Sequence, residues 1–151
     1  MKIYVASSWR NEFQPAVVGL LKQAGHDVYD FRNPAADNDG FRWSEIDPNW
    51  KSWTPKQYAE ALDHPIAAKG FNLDMNGLTT ADLCVLVLPS GRSASWEYGY
   101  HCGMLGRPGI VYMPVPCEPE LMYRGSVFTS TPEELLAAVS GYDTRTNFAR
   151  K

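Results

Sequence analysis

Leu83-Cys84-Val85-Leu86-Val87-Leu88 is an uninterrupted apolar run, and it leads directly into Pro89-Ser90-Gly91-Arg92-Ser93-Ala94-Ser95-Trp96-Glu97-Tyr98-Gly99-Tyr100. Such a run, bounded by turn residues, is the signature of a strand covered on both faces in a parallel sheet, because neither face meets water. Pro89, Ser90 and Gly91 break the strand, and the residues after them carry a helical run through Leu105. Strand, turn and helix follow one another, and the same alternation recurs on either side. Upstream, KIYVA (2–6) reads as a strand, and a helix follows with Phe13, Val17, Leu20, Leu21 and Ala24 on one face. Gly25 stops that helix, and HDVYDF (26–31) reads as the next strand. Downstream, GIVYM (109–113) and a short run at 127–129 complete a set of five strands. Thr131-Pro132-Glu133-Glu134 is a capping box that opens a last helix with Leu135, Leu136 and Val139 inward. The tail after Gly141 is expected to fray or to serve assembly.

Parallel strands need crossovers, and helices supply them. The expected fold is therefore α/β and flavodoxin-like (Rossmann-like), a three-layer sandwich with a mostly parallel five-stranded sheet in the order 2-1-3-4-5, formed as a single domain over 1–151. In this order the ligand crevice lies at the carboxyl ends of strands 1 and 3. Ser7, Ser8, Trp9 and Arg10 are expected there beside Ser90, Gly91, Arg92, Ser93 and Ser95. Residues 32–53 show neither period and contain Trp43, Trp50 and Trp53, which reads as a long loop inserted in the domain. Thr54-Pro55-Lys56-Gln57 is another capping box, and Pro65 restarts a helix in which Phe71, Met75 and Leu78 recur at helical spacing. Asp74 falls on a different face from that apolar set.

The 151 residues are 44% hydrophobic and 21% charged, with a formal net charge of -3. No basic field is available to hold a nucleic-acid backbone or an anionic membrane, so neither is an expected partner. Cys84, Cys102 and Cys117 show no C-x-x-C spacing, which argues against a disulfide framework and a structural zinc site and suits a reducing cytoplasm. Three histidines without paired spacing make a metal site unexpected. No apolar run approaches the roughly 18 residues a membrane-spanning helix needs, and the start MKIYVASSWRNEF lacks a leader's apolar region.

Glu97 follows the Ser/Gly turn in the first turn or two of its helix. There it reads either as a cap or as an ionised carboxylate favoured by the helix dipole, suited to nucleophilic attack or anion binding. Asp74 is the natural second carboxylate, or else a solvated surface group. Two carboxylates in different environments can divide the roles of nucleophile and acid, as in retaining glycoside cleavage. Gly91, Arg92, Ser93 and Ser95 offer flexible backbone, hydroxyls and a guanidinium to an anion such as a 5'-phosphate, with Arg10 as a second cation. Neither G-x-x-x-x-G-K-[ST] nor G-x-G-x-x-G occurs, which disfavours ATP hydrolysis and dinucleotide reduction, and a G-x-S-x-G elbow is missing as well. His101 lies four residues after Glu97 and reads either as its orienting partner or as an interhelix contact. Trp9, Trp43, Trp50, Trp53 and Trp96 fall in loops or beside the crevice, where their faces suit a nucleobase.

KIYVASSWRN, Asp74 ahead of Thr80-Ala81-Asp82-Leu83, and SGRSASWEYGYHCGMLGRP together resemble the nucleoside 2-deoxyribosyltransferase family, including its relatives that hydrolyse deoxynucleoside 5'-monophosphates. The resemblance covers roughly residues 2–140. It implies a flavodoxin-like fold, a homodimer or higher homo-oligomer with shared sites, no metal and no organic cofactor. It also implies Glu97 as the nucleophile at C1' and Asp74 as the group that protonates or positions the leaving base. Where transferases often carry an acidic pair, this chain has Gly91-Arg92-Ser93, which shifts the expectation toward a nucleotide N-glycosidase. The expected partner is a small nucleoside or nucleotide, with transfer to water or to another base. Cleavage of NAD or a signalling nucleotide, and nucleotide binding without turnover, are the alternatives.

Overall fold

The computed structural model describes residues 1–149, and Arg150 and Lys151 lie outside the described residues. Backbone contacts divide the chain into two compact units, one made of Met1–Tyr29 with the segment from Leu78 onward, the other of Asp30–Gly77.

The first unit contains a five-stranded sheet, β1 (Lys2–Ala6), β2 (Asp27–Tyr29), β3 (Leu83–Val87), β4 (Gly109–Tyr112) and β5 (Val127–Thr129). Its order is β2-β1-β3-β4-β5 and every pairing is parallel, the flavodoxin-like arrangement expected from the sequence. Every residue of β3 is buried, as a central strand covered on both faces demands. Helix α1 (Gln14–Gln23) buries Val17, Val18 and Leu21 and ends beside Gly25, whose φ of 88° is the left-handed conformation that closes a helix without Cβ strain. With Ile3, Val5, Val85, Val87, Ile110, Leu135 and Val139 these residues form one core.

β2 is shorter than the sequence suggests. The Asp30 carboxylate accepts from the Arg32 amide at 3.0 Å and from Asn33 Nδ2 at 2.9 Å, a local turn that competes with extension of the strand. α4 (Arg92–Gly99) follows β3 and passes into a π-helical turn, Tyr100–Met104. The last helix, α5 (Pro132–Ala149), starts at the expected box, in which the Glu134 amide donates to Thr131 Oγ1 at 3.2 Å and Glu134 Oε2 accepts from the Ser130 and Thr131 amides. It continues as helix beyond Gly141, so the expected fraying of the tail is corrected up to Ala149.

In the second unit the long loop expected at 32–53 carries local structure. Short 3-10 turns at Trp43–Glu45 and Trp50–Ser52 precede α2 (Pro55–Leu62), whose box is formed by Thr54 and Gln57 as the sequence suggests. Trp43 sits edge-on to Phe41, Trp53 and Tyr58, with ring centroids 4.8, 5.7 and 5.7 Å away. Trp53 Nε1 donates to Asp47 Oδ2 at 2.6 Å, so the indole's one donor is satisfied as it packs. α3 (Pro65–Thr80) carries Gly70 against this cluster, where an added Cβ would stand 2.9 Å from Phe41 Cβ. Phe71 is exposed, which corrects its placement on an inward apolar face, whereas Ala67 and Gly77 are buried and Asp74 is half-buried among them at helical spacing.

Candidate functional site

The register that places Ala6 beside Leu86 brings the two loops leaving β1 and β3 side by side. Ser7 is buried and its hydroxyl donates to the Val87 carbonyl at 2.9 Å. Asn11 is the side chain that locks the two loops together. Its Nδ2 donates to the Val87 and Pro89 carbonyls at 3.2 and 3.0 Å, while its Oδ1 accepts from the Phe13 and Gln14 amides. One buried amide therefore caps the start of α1 and fixes the turn after β3. Asn11-Glu12-Phe13-Gln14 has the spacing of a capping box, but α1 begins at Gln14 with Phe13 as its N-cap, so that spacing does not reveal what Asn11 does.

Above this anchor, Ser8 Oγ accepts from the Arg10 amide at 3.2 Å and lies about 4.0 Å from where a Cβ on Gly91 would stand. Ser8 and Gly91 thus meet beyond the carboxyl ends of β1 and β3. Gly91 is the N-cap of α4, and no side chain caps the helix. Ser95 Oγ donates to the Gly91 carbonyl at 3.2 Å and lies 3.5 Å from Ser90 Oγ, which shapes the turn from within. Arg10, Arg92 and Ser93 are exposed, and neither guanidinium has a hydrogen-bond or ion-pair partner among the described residues. The first unit thus brings together Ser7, Ser8, Ser90, Gly91 and Ser95 and leaves two uncommitted cations on the same loops.

Glu97 is half-buried in the second turn of α4, too far from Gly91 to serve as its cap, and no acidic residue occupies the first turn. The capping reading of Glu97 is removed. Burial in the sheet pushes the Cys84 thiol well above its usual range, and the charges of Cys102 and Glu97 add to that effect. The Glu97 carboxylate is therefore within electrostatic reach of the central strand. His101 is fully buried with Nδ1 3.3 Å from the Leu78 carbonyl, which makes it an interhelix contact rather than a partner of Glu97. Burial lowers its pKa, so the ring is held neutral. Asp74 belongs to the second unit, half-buried on α3.

The tryptophans do not act as one group. Trp43 and Trp53 are spent on each other and on Phe41 and Tyr58, because edge-to-face packing buries more ring area than an open loop would. That corrects the expectation of a shared stacking platform. Trp9 and Trp96 are exposed beside the crevice segments, Trp96 stacking on Tyr100 at 5.1 Å. Among the described residues no helix is long and apolar enough to cross a membrane, and no cluster of His, Cys, Asp and Glu is arranged to hold a metal ion.

The first unit thus has the flavodoxin-like α/β fold, with its polar loops gathered at the switch point of the sheet. Among solved structures the chain is similar to a 2-deoxyribosyltransferase from the psychrotolerant bacterium Bacillus psychrosaccharolyticus. The two share 19% sequence identity and a TM-score of 0.59, over 89% of this chain and 90% of that one. No protein-family model matches the sequence, and no curated protein does.

Proposed function

We propose that the protein is a nucleoside 2-deoxyribosyltransferase-like enzyme that cleaves the N-glycosidic bond of a nucleoside or nucleoside 5'-monophosphate, with Glu97 as the nucleophile. The observation that carries this reading is the placement of Glu97: a half-buried carboxylate on the helix that leaves the switch point, beyond the positions where it would cap. The fold shared with a 2-deoxyribosyltransferase supports the same class of chemistry. In the proposed reaction a Glu97 oxygen bonds to C1' as the bond from C1' to the base nitrogen breaks through an oxocarbenium-like transition state. The departing base takes up a proton from solvent. Water or a second base then attacks C1', the ester to Glu97 breaks, and the attacking group's proton returns to solvent.

Arg92 and Arg10 are proposed to hold the 5'-phosphate together with Ser90, Ser93 and Ser95. Two uncommitted guanidiniums beside a turn rich in hydroxyls favour an oxyanion there. Trp9 and Trp96 offer exposed faces to a base. Oligomer formation is part of the proposal and is read from elution volume and light scattering. The deciding assay is base release from nucleosides, nucleoside 5'-monophosphates and NAD, with and without an acceptor base. Release that vanishes in Glu97→Gln supports the mechanism. Wild-type turnover in that variant refutes it, and ligand-induced stabilisation without any release favours a binding module.

A further inference from the structure

At the other end of α4, the first unit contains a cavity of about 460 Å³ that the proposed chemistry does not use. Tyr98, Cys102, Arg107, Arg124, Ser126 and Tyr142 line it, and Gly109 and Val127, the first residues of β4 and β5, form part of its wall. It therefore lies toward the amino ends of these strands, whereas the Ser8 and Gly91 loops lie at the carboxyl ends of β1 and β3. Two arginines line the cavity, and among the described residues that line it there is no carboxylate, in a chain whose net charge is -3.

The two arginines differ in how they are held. Arg107 Nη1 donates to the carbonyls of Thr79 and Ala81 at 2.6 Å each, at the C-terminal end of α3, where exposed carbonyls attract a cation. That grip fixes the guanidinium plane, and its Nε and Nη2 hydrogens keep no partner among the described residues. Arg124 is exposed and makes no hydrogen bond or ion pair there. Like charges facing one cavity repel, and a bound oxyanion relieves that repulsion through paired N-H···O bonds. Gly109 keeps the wall thin: a Cβ on it would stand 2.5 Å from Cys102 Sγ and 2.6 Å from Tyr98 Cε2. Tyr98 therefore packs directly on the strand, with its phenol beside the Ser126 hydroxyl. Burial raises the phenol's pKa, so it stays protonated as a donor.

We propose that this cavity is a second binding site, separate from the Glu97 crevice, that takes a phosphate oxyanion, free or as a small phosphate monoester, between Arg107 and Arg124. The site is independent of the N-glycosidic reading, because none of its residues belongs to the proposed catalytic set. The test is calorimetric titration of the Arg92→Gln chain, in which the crevice's own phosphate contact is weakened. Inorganic phosphate and ribose 5-phosphate are the probes, with sodium chloride at equal ionic strength as control. Saturable binding is expected, and it should weaken at least tenfold when Arg124→Gln is added, with a melting temperature unchanged by that addition. Tighter binding of ribose 5-phosphate than of phosphate identifies the monoester as the preferred source, and the reverse identifies the free ion. Absence of saturable binding of both probes, or equal binding with and without Arg124→Gln, would overturn the proposal.

Discussion

Gly91 caps the start of α4 and Gly109, the first residue of β4, packs against its far end, and the contrast between them separates what the turn needs from what the sheet needs. A Cβ on Gly91 would meet nothing closer than Ser8 Cβ at 3.9 Å, an ordinary contact, and its φ of -92° suits any residue. A Cβ on Gly109 would collide with both Cys102 and Tyr98. The turn glycine that looks like the functional one is therefore sterically replaceable, and the strand glycine that looks incidental is not. The crevice loops are held by side chains and by the Asn11 anchor, and the far end is held by the close approach of a helix to a strand.

The largest effect expected at the crevice end is chemical. Glu97→Gln should lower base release on the order of a thousandfold or more with the melting temperature retained, as loss of a covalent nucleophile does. The next is structural. Asn11→Ala removes the side chain's bonds to the Val87 and Pro89 carbonyls and to the amides at the start of α1, and should cost about 1–3 kcal/mol in denaturant unfolding. Gly109→Ala overpacks the wall between α4 and β4 and should cost a similar amount, about 1–3 kcal/mol. Gly91→Ala should change stability by no more than about 0.5 kcal/mol, and a large loss there would break the comparison. Arg92→Gln should raise KM for a 5'-monophosphate about tenfold, about 1.4 kcal/mol, while barely affecting the nucleoside. Equal effects on both substrates would remove its proposed role.

A smaller effect comes from His101. Burial lowers its folded pKa below the ordinary 6.5, so below that pH the unfolded chain takes up a proton that the native ring refuses. Stability should therefore be full above pH 6.5, fall as the pH drops, and level off for this group once the folded pKa is passed. His101→Gln should flatten that slope in unfolding curves collected between pH 8 and pH 5.

Leu83–Val87 was readable because a strand buried on both faces leaves no polar position in its sequence, and the capping boxes at Thr54 and Thr131 were readable because their chemistry is local. The strand order followed from the alternation of elements and the rule for parallel crossovers. Within the Asp30–Gly77 unit the helix starts were legible but the packing of 32–53 was not: it is held by edge-to-face rings around Trp43 and by the close approach of Gly70 to Phe41, contacts without a period in sequence. Phe71 misled for a related reason, since helical spacing does not say which stripe is inward. That the loops carrying Ser7, Ser8, Ser90, Gly91 and Ser95 lie side by side was legible, because the strand order dictates where loops meet. Arg107 left no sequence signal, because its partners are carbonyls of a helix end distant along the chain.

The most direct test of the account is chromatographic measurement of free base from a panel of nucleosides and nucleoside 5'-monophosphates, run on the wild type and on Glu97→Gln with melting curves of both. Base release by the wild type, loss of that release in the variant, and superimposable melting curves are expected. Undiminished release by a folded Glu97→Gln chain would contradict it.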